Sequence, residues 1–175
     1  MEINALIEAY GEKAYAAAYR LTGNRADACD LVQETFLRVM KKAELYDSSF
    51  DFGGWLHRVL FRVYLNSRRG SSRRREVALE GAGGESAPGS ALAAGTGESP
   101  EKIAENNELR ERLAAALNAL APDLRACVVL VDMEGCDYEQ AAGILGWPVG
   151  TVSGRLFRAR RLLRGLLEPA REERI

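Results

Sequence analysis

Apolar side chains recur at three- and four-residue intervals through two separate stretches of this chain, and nowhere alternate at the period of two that a half-buried strand needs. That restricts the chain to helices. Residues 2–22 place Ile3, Leu6, Ile7, Tyr10, Ala14, Ala17, Ala18 and Leu21 on one helix face. Gly23 then supplies a stop, and Asn24 with Asp27 three residues later has the spacing of an N-terminal cap. A second helix follows to about Ala43, with Ala28, Leu31, Val32, Thr35, Phe36, Val39 and Met40 on its inner face. Residues 46–54 (YDSSFDFGG) are loop-like in their Asp, Ser and Gly content. A third helix is expected from near Trp55, burying Trp55, Leu56, Val59, Leu60 and Val63.

Between residues 70 and 99 periodicity disappears and glycine, serine and alanine dominate, the composition of a flexible linker with an r.m.s. span of about 30 Å. Ser99-Pro100-Glu101 restarts order, serine as N-cap and proline at the first helical position. That helix is expected to run to about Leu120, with Ile103, Leu109, Leu113, Ala116, Leu117 and Leu120 apolar. Pro122 opens another, reaching a stop at Gly135. The fold class is therefore all-α: a three-helix-type bundle (1–70), a flexible linker (71–99), a four-helix domain (100–168) and a tail (169–175).

The carboxyl-terminal block has the order of a helix-turn-helix. Asp137 and Gln140 have capping-box spacing, Ala141 and Ala142 allow a close helix crossing, Gly146 suits a left-handed turn, and Val152 packs back inside. The last helix, about 149–167, puts Val152, Leu156, Ala159, Leu163 and Leu166 on one face. Ser153, Gly154, Phe157, Arg158 and Arg161 fall on the opposite one, flanked by Arg155, Arg160 and Arg164. Arginine can bond guanine bidentately and hold phosphates, so such a face suits a DNA major groove.

Charge placement agrees. The net charge is only −1, yet residues 55–75 carry seven arginines and no acid, and residues 148–167 carry five arginines and no acid. Residues 76–123 reverse this, with nine acids against three bases. Two separated basic stripes on a near-neutral chain point to an anionic partner met at two places. Catalysis has little support. The single histidine, His57, excludes a multi-histidine metal site, and no phosphate-binding glycine loop or nucleophile elbow is present. Cys29, Cys127 and Cys136 are odd in number and widely spaced, so they are expected as buried small side chains, not a disulfide framework. No segment approaches a membrane span and the amino terminus lacks a signal pattern, which leads us to expect a soluble, intracellular protein.

Two motifs carry a resemblance. Residues 30–39 (DLVQETFLRV) with FGGWL at 52–56 resemble the second conserved region of bacterial sigma factors. Residues 135–167 resemble their fourth region, above all in PVGTV and RLFRAR. With both blocks present and a short amino terminus, the chain resembles the extracytoplasmic-function (ECF) group of the sigma-70 family. The resemblance implies a promoter-specific initiation factor, not an enzyme, with no cofactor, no metal and no small-molecule substrate. It implies docking on core RNA polymerase through Asp30, Gln33, Glu34, Leu37 and Arg38. It implies minus-10 contacts from Phe50, Phe52, Arg58, Arg62, Asn66 and Arg69; Trp55 falls in the same matched segment, but its spacing with Val59 and Val63 places it in the core. It implies minus-35 contacts from Thr151, Ser153, Gly154, Arg155, Phe157, Arg158 and Arg161. An anti-sigma factor is the further implied partner, in a cytoplasmic setting with no direct membrane insertion.

The chain departs from the family pattern in three places: Ser153-Gly154 removes a charge and a hydroxyl from the reading face, Arg62 replaces a common asparagine, and the linker is unusually bland. Two other functions compete. A stand-alone helix-turn-helix regulator would have no use for DLVQE followed by an aromatic loop and an arginine-rich helix. An enzyme built on Asp27, Asp30 and Glu34 would need a second ligating helix, and none is apparent.

Overall fold

The computed structural model describes residues 3–46, 51–77 and 100–168. These form α1 (Ile3–Thr22), α2 (Arg25–Lys41), α3 (Phe52–Val77), α4 (Pro100–Ala119), α5 (Pro122–Val128), α6 (Tyr138–Leu145) and α7 (Val149–Leu167). A 3-10 turn covers Ala43–Leu45 and a π-helical segment covers Val129–Met133; no strand occurs among the described residues.

Local chemistry sets most boundaries as expected. Gly23 takes φ +77 after α1, and the Asn24 side chain accepts from the Asp27 amide at 2.8 Å, satisfying one free donor at the start of α2. The start of α3 differs from expectation by three residues. The Asp51 carboxylate accepts the Gly54 N–H at 2.8 Å, which lets the helix begin at Phe52 instead of Trp55. The same helix continues past residue 70 to Val77, so the expected linker is helical at its start; residues 78–99 and the 169–175 tail lie outside the described residues. Past α5 the helix loosens into the π-helical segment, where the Glu134 amide reaches back five residues to Val129 O at 2.9 Å.

One continuous apolar core runs through both helical blocks. Helix α3 packs on α1 and α2 and also on α5 and α6. This second layer explains why Phe61, Tyr64 and Leu65 are buried although they lie off the stripe that faces α1 and α2. Burial elsewhere shifts slightly. Met40 and Leu166, expected on inner faces, are exposed, as is the apolar Leu109, while Val32, Trp55, Val59 and Leu163 are only half-buried. No described helix is long and apolar enough to cross a membrane.

Polar links join the blocks as well. Arg125, buried on α5, donates to Leu21 O at the end of α1 and to Asn118 O at the end of α4. Arg20 of α1 pairs with Glu134, which follows the π-helical segment.

Candidate nucleic-acid interface

The helix-turn-helix is assembled from α6, a turn and α7. The Gln140 amide donates to Asp137 Oδ1 at 2.7 Å, and the Asp137 amide donates to Gln140 Oε1 at 3.0 Å, closing the capping box. Gly146 takes φ +70 and its amide donates to Ala142 O at 2.8 Å, ending α6 in the left-handed cap that favours glycine. Val152, Leu156 and Ala159 are fully buried and pin α7 beneath. Its other face is open: Ser153, Gly154, Arg158 and Arg161 are exposed, and Phe157 is 71% exposed. The ring therefore lies outside the core, beside the exposed Arg158 and Arg161. Thr151 is half-buried at the helix start.

The flanking arginines are not equivalent. Arg155 Nε lies 3.1 Å from Asp123 Oδ2, and its guanidinium sits 3.9 Å over the Trp147 ring. Arg160 donates through Nε to Asp132 at 3.2 Å, a bond that pushes its pKa up. Both are engaged within the protein. Sequence reasoning missed Asp123, Asp132 and Trp147 as their partners, because tertiary packing alone brings these elements together.

The second basic surface lies on α3. Arg58, Arg62 and Asn66, four residues apart, are exposed on one side. The side chains of Phe50 and Arg69 lie outside the described residues. Phe52 is a correction: it is only 4% exposed, with its ring against Tyr10, Tyr46 and Trp55 at 5.2, 5.5 and 5.8 Å between centroids. Because α3 starts at residue 52, this ring points into the bundle, offering no face to a base. His57 Nδ1 lies 2.9 Å from Gly53 O, and its buried Nε2 has no hydrogen-bond partner, with Glu134 Oε2 3.9 Å away. The guanidinium groups of Arg58 and Arg62 come within 3.7 and 3.8 Å of where a Cβ would stand on Gly143 and Gly146. The helix-turn-helix thus rests against the basic side of α3. Between the blocks lies a cleft of about 1100 Å³, bounded by Tyr10, Arg20, Trp55, Arg58, Glu134 and Gln140.

The third surface is α2. Asp30 and Gln33 are exposed, and Glu34 pairs with Arg38 one turn on at 2.6 Å. Leu37 and Met40 stand 47% and 43% exposed beside them, an apolar pair rimmed by charge. Asp27 is bonded by Arg68 at 3.3 Å, and among the described residues no group of three or more His, Cys, Asp or Glu could hold a metal ion. The three cysteines are free; burial pushes the Cys127 thiol up to about 11 and that of Cys136 upward.

An all-α body with a helix-turn-helix and a second, separate basic helix defines a DNA-binding protein of a two-region type. Residues 6–74 match the family model "Sigma-70 region 2", and residues 110–163 match "Sigma-70, region 4". The ECF RNA polymerase sigma factor SigE of Mycolicibacterium smegmatis is 39% identical over 162 residues, covering 93% of this chain and 60% of that protein. The ECF RNA polymerase sigma-E factor of Escherichia coli is 30% identical over 170 residues, covering 95% of this chain and 86% of the relative. A sigma factor RpoE crystallised with the anti-sigma factor NepR from Bartonella quintana matches with TM-score 0.74 and 26% identity, covering 97% and 98% of the two chains. The chain belongs to the ECF RNA polymerase sigma factors.

Proposed function

We propose that this sigma factor docks on core RNA polymerase through α2 and brings α3 and α7 to the minus-10 and minus-35 promoter elements. The observation that carries this reading is the coexistence, in one chain, of an acid-free recognition face on α7 and an apolar-and-charged docking face on α2. The docking residues are Asp30, Gln33, Glu34, Leu37 and Arg38. Minus-10 contacts come from Phe50, Arg58, Arg62, Asn66 and Arg69. Minus-35 readout falls to Thr151, Ser153, Gly154, Phe157, Arg158 and Arg161, with Phe157 offering an apolar contact for a thymine methyl. The two units are residues 1–70 and 100–168. The protein acts in the cytoplasm, has no catalytic chemistry of its own, and is held in check by an anti-sigma factor, as the Bartonella protein's complex suggests.

Co-elution with bacterial core polymerase tests this. Wild type co-elutes, and a Gln33→Ala/Glu34→Ala variant does not. Sequence-specific DNA binding by the chain alone, with no binding to core, would instead support the stand-alone regulator.

A further inference from the structure

Five arginines on α7 invite the reading that each flanking one grips a DNA phosphate. The geometry points to a different role for Arg155: we infer that it is a positioning residue, which locks the recognition helix to α5 at one fixed tilt and takes no phosphate. This inference rests on the proposed minus-35 readout and refines it.

Three observations converge. Arg155 Nε meets the Asp123 carboxylate at 3.1 Å, and Asp123 lies in the first turn of α5, at the edge of the reading face beside Gly154 and Arg158. The opposite side of the interaction is the Trp147 ring, 3.9 Å from the guanidinium carbon. Trp147 sits in the turn itself, between Gly146 in its left-handed conformation and Pro148 at the N-cap of α7. One planar cation therefore ties the turn, the recognition helix and the preceding helix together. A guanidinium can stack on a ring and bond a carboxylate in its plane at once, which an ammonium cannot copy. Arg158, one turn further on the same helix, is exposed and forms no such pair, which leaves it available to DNA. The two residues carry the same charge and divide the work: Arg155 sets where α7 lies and Arg158 contacts what α7 meets.

Phosphate contact and positioning predict opposite outcomes. Holoenzyme, made from the full chain and bacterial core polymerase, first selects duplexes from a library randomised at the minus-35 element. Affinity for the selected duplex is then measured across potassium chloride concentrations. Positioning predicts that Arg155→Met and Asp123→Asn each weaken binding about tenfold, on the scale of one lost base-pair preference, without changing the salt slope. It also predicts that Arg155→Lys fails to restore binding. Arg161→Ala provides the contact standard, its slope falling by about 0.9 for a phosphate released. Unchanged or tighter binding by Asp123→Asn, full rescue by Arg155→Lys, or a slope loss of about 0.9 in Arg155→Met would each overturn the inference. The lysine and asparagine variants decide the matter even if Arg155→Met does not fold. Failure of wild-type holoenzyme to select any sequence would overturn the minus-35 reading itself, and this inference with it.

Discussion

Arg125 Nη1 donates a 2.7 Å hydrogen bond to the main-chain carbonyl of Leu21, 104 residues earlier in the chain. The same guanidinium bonds Asn118 O through Nη2. Both carbonyls belong to the last turns of helices, α1 and α4, where intrahelical partners run out. One buried cation therefore caps two helix ends and joins the amino-terminal bundle to the carboxyl-terminal block. Burial lowers the Arg125 pKa, a cost that its carbonyl partners offset.

Removing that cap is costly. Arg125→Met is expected to lower unfolding free energy by about 3 kcal/mol, since hydrogen bonds to a charged group contribute ~1.5–3 kcal/mol each and the carbonyls stay buried. Arg125→Lys recovers little, because one ammonium cannot span both carbonyls. Urea denaturation of the three proteins measures this, and equal midpoints would show that the cap is without weight.

Two turn glycines differ in what they require. At Gly146 a Cβ meets only the end of the Arg62 side chain at 3.8 Å, so Gly146→Ala carries the left-handed backbone penalty of ~1–2 kcal/mol. At Gly23 a Cβ would run into the side-chain amide of Asn118, an exposed group that must swing aside, on top of the same penalty. Asn118 is also the residue whose carbonyl Arg125 holds. Thermal melts are expected to place Gly23→Ala level with Gly146→Ala or a little below it, because the Asn118 amide can move while the left-handed backbone is common to both.

The two faces of α7 separate stability from recognition. Leu156 is fully buried, and Leu156→Ala is expected to cost ~2–5 kcal/mol through lost burial and an unfilled cavity. Phe157 stands in solvent, so Phe157→Ala is expected to leave stability within ~0.5 kcal/mol. Promoter binding by the holoenzyme should nevertheless fall for Phe157→Ala. Paired melting and DNA-binding measurements test the division, and a large stability loss in Phe157→Ala would reject it.

Cys127 supplies a pH signature. Its thiol ionises near 9 when free of the fold and near 11 within it, because burial disfavours the thiolate. The folded state thus holds this proton more tightly. Below pH 9 the group contributes no pH dependence, and between 9 and 11 the unfolded state gains as its thiol ionises first. Stability of the wild type is expected to fall more steeply across that window than that of Cys127→Ala, measured by urea titration at several pH values. In native protein at neutral pH the buried thiol should also resist alkylation until denaturant is added.

Much of this molecule is decided locally. The Asn24 cap, the capping box of Asp137 and Gln140, the left-handed Gly23 and Gly146, and the inward Val152, Leu156 and Ala159 depend on residues within a turn or two of one another. Their chemistry is complete in the sequence, and so are the helix-turn-helix and the exposed α7 and α2 faces. Tertiary structure decided what depends on a second surface. Phe52 is buried because Tyr10 of α1, Tyr46 and Trp55 close over its ring, and Phe61 because α3 packs on a second layer formed by α5 and α6. Arg155 and Arg160 look like free cations along the chain and become structural ones only when Asp123 and Asp132 are folded beside them. Periodicity records which face of a helix is buried; the identity of what covers it, and so the fate of each charge along its edge, comes from partners remote in sequence.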